Sequence, residues 1–198
     1  QYIPWPVCSP DEKTVASSSY DGTVRLWNLS TGEELRRLDL GAPAGGLPAF
    51  SPDGQTVFLA AYSFSGLIQW DLNTGEKATF ADHETMLNSV AISPDGRWLA
   101  ADDMNFSITL WDRATRQEVR RFEGHHSMIS AMPGLIFTPD SRHLLSASWD
   151  GTMRLWNVAT GQEEARFLGH QSGVWSIGLS ADGRTVVSGS FDGTMRIW

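Results

Sequence analysis

The chain has little of what several classes of protein depend on. Only one of its 198 residues is cysteine, Cys8, so no internal disulfide framework can hold the fold. No apolar run approaches the roughly 18 residues that a membrane-spanning helix needs. Lys and Arg number 15 against 23 Asp and Glu, and phosphate binding depends on clustered basic side chains. The composition therefore predicts a soluble globular protein with neither a membrane nor a nucleic acid as its main partner.

The first residues of the chain carry little information about its cellular location. The first residues, QYIPWPVCSP, lack the basic region and apolar run of a signal peptide, and we expect a cytoplasmic protein. Cys8 lies in the first strand-like run, where a cysteine usually packs as a small apolar residue. We therefore expect Cys8 to be buried.

Tryptophan, by contrast, recurs at a regular interval. Five anchor residues, separated by about 41 to 45 positions, each close a short strand-like run such as TVRLWN at 23–28. The five anchors are Trp27, Trp70, Trp111, Trp156 and Trp198. A period of this length indicates a repeat array of four-stranded units.

Three kinds of turn divide each repeat. A turn of the Ser-Pro-Asp-Gly type stands at 9–13, 51–55, 93–97, 138–142 and 180–184. An Asp-Gly hairpin turn precedes the anchor strand at 20–23, 149–152 and 191–194, and a third turn follows the anchor at 30–32, 73–75, 114–116 and 159–161. Three turns between four strand-like runs predict four antiparallel strands in each unit.

These residues resemble the WD-repeat β-propeller family over essentially the whole chain. The Gly-His doublet of the family stands at Gly124-His125 and Gly169-His170, and its Trp-Asp ending at Trp70-Asp71 and Trp111-Asp112. The resemblance implies an all-β propeller with about five four-stranded antiparallel blades, at approximately 1–40, 41–82, 83–124, 125–169 and 170–198. The last blade lacks its outer strand, so we expect a partial segment of a larger ring, with seven blades as the commonest number.

Two groups of Ser, His and Asp could suggest an activated nucleophile. The resemblance implies instead that each group joins a tryptophan in a structural hydrogen-bond set: His125, Ser146, Asp150 and Trp156 in one blade, and His170, Ser188, Asp192 and Trp198 in the next. Ala101 and Asn105 replace the serine and the aspartate in the third blade, and the second blade also departs from the pattern. We predict no catalytic residues, and lower local rigidity in blades two and three.

Ligand spacing for a metal is also missing from the sequence. The histidines fall in different repeats or in one adjacent pair, and each Ser-Pro-Asp-Gly turn offers a single carboxylate where calcium takes six to eight oxygen ligands. We expect no metal and no cofactor. The paired arginines 36–37 and 120–121 fall in predicted outer strands, where they either discourage edge-to-edge aggregation or form a basic binding stripe.

The position before each Asp-Gly turn is the candidate binding surface, because in the resembled family it lies on a face that commonly binds partners. Its occupants, with equivalents in the divergent blades and one nearby strand residue, are Tyr20, Phe64, Met104, Trp149, Trp175 and Phe191. Aromatic and Met side chains are enriched at the centres of protein interfaces. The alternative is that these side chains only pack against neighbouring blades.

The sequence thus predicts a non-catalytic interaction scaffold that binds a protein or peptide on the ring face of the propeller. The alternative is a targeting or regulatory module of a larger enzyme whose catalytic domain lies outside this segment of its own longer chain. No convergent acid, base or nucleophile beyond the two hydrogen-bond sets favours catalysis within the chain itself.

Overall fold

The structure, a computed structural model, describes residues 6–41, 47–60, 66–130 and 132–198. The described elements are β-strands in five antiparallel sheets, and in each sheet neighbouring strands follow one another in the sequence. The predicted all-β propeller fold with five antiparallel blades is therefore confirmed. Four sheets have four strands and the fifth has three.

The strands are as follows. The first sheet contains β1 (Val7–Cys8), β2 (Thr14–Ser18), β3 (Thr23–Asn28) and β4 (Glu34–Asp39), and the second contains β5 (Ala49–Phe50), β6 (Thr56–Ala60), β7 (Gly66–Asp71) and β8 (Lys77–Asp82). The third contains β9 (Leu87–Ile92), β10 (Trp98–Asp103), β11 (Ile108–Asp112) and β12 (Glu118–Phe122). The fourth contains β13 (Leu135–Phe137), β14 (His143–Ala147), β15 (Met153–Asn157) and β16 (Glu163–Phe167), and the fifth contains β17 (Val174–Leu179), β18 (Val186–Ser190) and β19 (Met195–Ile197).

The chain divides into two compact units, 1–90 and 91–198, with the boundary inside β9. In the first unit, Trp70 and Val57 belong to one apolar cluster formed by the first two sheets. In the second unit, Trp156 packs with Phe122 and Leu144 in a comparable cluster. Trp70 and Trp156 therefore lie where apolar side chains of successive sheets meet.

The Ser-Pro-Asp-Gly turns use their carboxylates internally. The Ser93 hydroxyl donates to Asp95 Oδ1 at 2.5 Å, the Arg97 N–H donates to the same oxygen at 3.0 Å, and the Trp98 N–H donates to Ser93 Oγ at 2.8 Å. Gly96 has a φ of 73°, a left-handed conformation that favours glycine. The carboxylate therefore closes its own hairpin, as the turn chemistry predicts.

The paired arginines have two different roles. The Arg121 Nε donates to Glu118 at 2.7 Å and the Arg37 Nε to Glu34 at 3.0 Å, so acidic neighbours neutralise one member of each pair. Arg120 instead donates to the carbonyl oxygen of Thr160 at 2.8 Å, in the turn between β15 and β16 of the following sheet. No sequence pattern predicts this link between blades. With these three guanidinium groups engaged, a basic stripe has little support.

The expected burial of Cys8 is wrong, because its side chain is exposed. In the two-residue strand β1 successive side chains point to opposite faces. Val7 takes the face that packs against the apolar cluster of the first unit, and Cys8 takes the other.

Candidate functional site

Four side chains of the fourth sheet form one hydrogen-bonded chain. The Trp156 indole N–H donates to Ser146 Oγ at 2.8 Å, Ser146 Oγ lies 2.7 Å from His125 Nε2, and His125 Nδ1 lies 2.9 Å from Asp150 Oδ2. With a neutral imidazole protonated on Nδ1, each group has a partner: the serine hydroxyl donates to Nε2 and the Nδ1–H donates to the carboxylate. The chain thus ties the connection before β13 to β14, β15 and the turn between them.

The fifth sheet repeats this arrangement. The Trp198 N–H donates to Ser188 Oγ at 2.9 Å, and His170 lies 2.8 Å from Ser188 Oγ and 2.9 Å from Asp192 Oδ2. The Asp192 carboxylate also accepts the backbone N–H of Gln171 at 2.9 Å. The structure therefore brings together all eight residues that the sequence assigned to the two sets.

The distances from serine to histidine to aspartate would suit an activated nucleophile, but access to the serine does not. Ser146 is completely buried, and its oxygen already accepts the indole N–H of Trp156. Attack on a carbonyl needs a free approach to that oxygen and a set of donors for the resulting oxyanion. Ser188 is equally buried beneath Trp198. The geometry favours a structural role for both sets.

The first and third sheets keep only parts of this chain. In the first, the Trp27 N–H donates to Ser17 Oγ at 2.8 Å. In the third, Ala101 stands opposite Thr109 with no hydroxyl to offer, and the turn is held by Asp103. The Asp103 carboxylate accepts the Ser107 N–H at 3.1 Å and the Ser107 hydroxyl at 2.9 Å. Sequence reasoning missed this aspartate because it lies two positions before Asn105, where the pattern places the carboxylate.

The ionisation of the fourth-sheet chain follows from its surroundings. Burial disfavours the charged imidazolium and lowers the pKa of His125, although the adjacent Asp150 opposes this effect. Burial alone would raise the pKa of Asp150, but hydrogen bonds from His125 and Thr152 outweigh it and hold that pKa well below its usual range. In Asp192 the hydrogen bond from Thr194 is the main cause of a similarly low pKa.

These pKa shifts predict that acid destabilises the protein. A group whose pKa is lower in the folded state binds fewer protons there than in the unfolded chain, so stability falls as the pH falls. The contribution of His125 is complete above its ordinary pKa of 6.5 and is lost below it, at a rate of at most about 1.4 kcal/mol per pH unit. The contributions of Asp150 and Asp192 are lost as the pH drops below about 4.

We expect urea unfolding between pH 8 and pH 3 to give a free energy of unfolding that declines in two stages. His125→Gln should remove the stage nearer neutrality and leave the stage below pH 4. A protein that becomes more stable between pH 7 and pH 5 would contradict this account.

Three residues predicted for the binding surface lie together. The rings of Trp149 and Trp175 are stacked at 6.1 Å with an angle of 19°, and Phe191 stands edge-on to both, at 5.6 Å from Trp149 and 4.6 Å from Trp175. Trp149 is 44% exposed and Phe191 is 56% exposed. We call these three residues the aromatic cluster.

Local backbone contacts fix the position of the aromatic cluster. The Trp149 N–H donates to the Met128 carbonyl at 2.9 Å, and the Phe191 N–H donates to the Gly173 carbonyl at 3.0 Å. A Cβ at Gly173 would lie 2.9 Å from Trp149 Cα, so this close approach requires glycine. The Ser190 hydroxyl donates to the Gly173 carbonyl at 2.8 Å. Trp149 and Phe191 thus lie on two turns that the hydroxyl groups of Ser148 and Ser190 hold to the neighbouring connections, and Trp175 lies in β17.

Two other residues that the sequence predicts for the binding surface, Tyr20 and Met104, lie on turns of other sheets. Tyr20 is 49% exposed on the second turn of the first sheet, and Met104 is 39% exposed on the corresponding turn of the third. Phe64 lies outside the described residues. The sequence also does not predict the hydrogen bond that the Ser130 hydroxyl, in the connection before β13, donates to the carbonyl oxygen of Trp175.

In the part of the chain that the structure describes, no three His, Cys, Asp or Glu side chains are grouped so that they could hold a metal ion. None of the described segments forms a helix that is long and apolar enough to cross a membrane.

The repeat pattern and the sheets can now be compared with known proteins. The model of the WD domain, G-beta repeat, matches residues 7–28, 75–112, 116–157 and 161–198, which is more than half of the chain. The chain belongs to the WD40 repeat family. Residues 29–74, which include most of the second sheet, fall outside these matches, in agreement with the divergence of that repeat from the family pattern.

Curated WD40 relatives match about half of the chain. A WD repeat-containing protein 26 homolog of Arabidopsis thaliana is 26% identical over 111 residues, which cover 56% of the chain and 19% of that relative. WD repeat-containing protein SL1-17 of Schistosoma mansoni is 33% identical over 52% of the chain and 34% of its own length. Small ribosomal subunit protein RACK1y of Oryza sativa subsp. japonica is 31% identical over 52% of the chain and 30% of its own length.

The matched segments thus span about a fifth to a third of these relatives. WD40 repeat proteins generally act as protein-interaction scaffolds and are typically non-catalytic.

Proposed function

We propose that this WD40 chain is a non-catalytic interaction module that binds a protein or peptide partner through the aromatic cluster. The observation that carries the proposal is the exposure of Trp149 and Phe191 in a packed and positioned group of rings. Large aromatic side chains bury much area on binding at a low cost in conformational entropy, and they are enriched at the centres of interfaces.

Tyr20 and Met104 extend this proposal. Each occupies the corresponding turn of its own sheet and is exposed, so each is a candidate for further contacts with the same partner. Phe64 is included on its sequence position alone. The proposed partner is a protein or peptide, the proposed compartment is the cytoplasm, and neither a nucleic acid nor a cofactor is part of the proposal.

Capture by variants of the full chain tests this function. Wild type, Trp149→Ala and Phe191→Ala are immobilised, and the proteins that each retains from a cell extract are quantified by mass spectrometry. The matched control is Val119→Ala, because Val119 is as exposed as Trp149 but lies on the outer strand β12. We expect both cluster variants to lose specifically captured proteins that wild type and Val119→Ala retain.

Stability measurements separate binding from packing. Trp149→Ala should lower the free energy of unfolding by about 1–3 kcal/mol, because the half-exposed ring makes two aromatic contacts of roughly 0.5–1.5 kcal/mol each. A loss of more than about 3 kcal/mol would mark the ring as core packing. Such a large loss of stability, or unchanged capture by both cluster variants, would refute the aromatic cluster as the binding surface.

A further inference from the structure

The two ends of the sheets in the second unit differ in charge. Because neighbouring strands are antiparallel, the second turn of each sheet and the connection to the next sheet lie at one end, and the first and third turns lie at the other. The aromatic cluster belongs to the first of these ends, which we call the aromatic end. Its segments are 103–107, 123–128, 148–152, 168–173 and 190–194.

None of these segments carries a lysine or an arginine, whereas four carboxylates lie on them. Glu123 is exposed, and Asp103, Asp150 and Asp192 are held within their turns. The turns at the opposite end of the same unit carry five arginines against three aspartates: Arg97, Arg113, Arg116, Arg142 and Arg184, and Asp95, Asp140 and Asp182. The charge at the aromatic end is therefore negative, in a chain whose net charge is −8.

The imidazole of His125 does not cancel a carboxylate at this end. His125 is buried with a lowered pKa, so near neutral pH it leaves the charge of Asp150 in place. Two strand arginines, Arg154 and Arg196, approach Gly124 and Gly169 of these segments, and the guanidinium Nε of each is buried. Arg154 is ion-paired with Glu163 at 2.7 Å.

Aromatic rings and fixed carboxylates favour the same kind of ligand. The face of an aromatic ring is negative, and it attracts a guanidinium or ammonium group, most strongly when the ring is tryptophan. The protein makes this contact elsewhere, because the Arg97 guanidinium lies 4.3 Å from the centroid of the Trp98 ring. Nearby negative potential adds a longer-range attraction for basic segments.

We infer that the partner of the aromatic cluster is a basic protein segment that places an arginine or lysine side chain against Trp149 or Phe191. This inference rests on the proposed function and specifies its ligand. A neutral apolar segment would also cover the rings, but it would gain nothing from the carboxylates. An acidic segment would be repelled by them.

Selection of peptides tests the inference without knowledge of the natural partner. A random peptide library displayed on phage is selected on the immobilised full chain at about 0.05 M salt, where charges are weakly screened. The affinity of a selected peptide is then measured by isothermal titration, together with a version that carries citrulline, which is uncharged, in place of each arginine, or norleucine in place of each lysine.

We expect the selected peptides to share an arginine or lysine. Its neutral replacement and Trp149→Ala should each weaken binding by about tenfold, which corresponds to about 1.4 kcal/mol and suits the loss of a cation–π contact. Glu123→Gln should weaken binding by a few-fold, and raising the salt to about 0.5 M should do the same. Arg142→Ala, at the opposite end, should leave the affinity within twofold.

Two other results have different meanings. Selected peptides that are apolar or acidic, but still lose affinity in Trp149→Ala, would overturn the basic ligand and leave the proposed binding surface in place. Selected peptides whose affinity is the same for wild type and Trp149→Ala would contradict both the basic ligand and the proposed surface.

Discussion

Replacing Ser146 with alanine should lower the free energy of unfolding by about 2–4 kcal/mol. The hydroxyl accepts the Trp156 indole N–H at 2.8 Å and lies 2.7 Å from His125 Nε2, so its removal leaves two buried polar groups without their partner. Each unsatisfied buried group costs about 1–3 kcal/mol. Urea unfolding followed by tryptophan fluorescence measures the change.

Ser17→Ala is the matched control for this prediction. Ser17 also accepts an indole N–H, from Trp27 at 2.8 Å, but Trp27 is only partly buried, so water can replace the lost acceptor. We expect a loss of about 1 kcal/mol there. If the two serines proved equivalent, the longer chain through His125 and Asp150 would add nothing to the stability of the fourth sheet.

Gly134→Ala should destabilise the protein by about 3 kcal/mol or more. A Cβ at this position would clash with the carbonyl oxygen of Ser130 and would lie 2.7 Å from its carbonyl carbon. These are backbone atoms of the segment just before β13, so the clash cannot be relieved by the rotation of a side chain. Overpacking of this kind typically costs about 1–3 kcal/mol, and a shift of the backbone costs more.

Gly178→Ala provides the comparison, because Gly178 is exposed in β17 and its Cβ would meet no atom within 4 Å. We expect its effect on the free energy of unfolding to stay within about 0.5 kcal/mol. Equal effects of the two substitutions would mean that the backbone at Ser130 moves away from the added Cβ without lowering the free energy of unfolding. Thermal unfolding monitored by circular dichroism can rank the two variants directly.

The sequence determined the repeat and its turns because both depend on local chemistry. The spacing of the tryptophans, the Asp-Gly hairpins and the Ser-Pro-Asp-Gly turns fix strand order and strand direction within each sheet. In the same way, Ser, His, Asp and Trp at regular offsets indicated the two hydrogen-bond sets. Lower rigidity of the second and third blades and a larger parent ring stay predictions.

Local reasoning failed where a residue departs from its neighbours' pattern. The place of Cys8 in the first strand-like run predicts burial, but the two-residue strand β1 leaves only Val7 facing the cluster. Asp103 was missed because its turn takes the carboxylate from an earlier position than in the other repeats. A shift of one position in the strand, or of two positions in the turn, changes which side chain is used.

Periodicity and turn chemistry are local, and they were therefore enough to predict the family, the sheet topology and the candidates for a binding surface. Which of these candidates meet depends on the packing of the sheets. Trp149, Trp175 and Phe191 come from two sheets and join because Gly173 permits a close approach of their backbones. Likewise Arg120 reaches a turn of the next sheet. Contacts between repeats depend on how sheets pack, which no single repeat encodes in its own pattern.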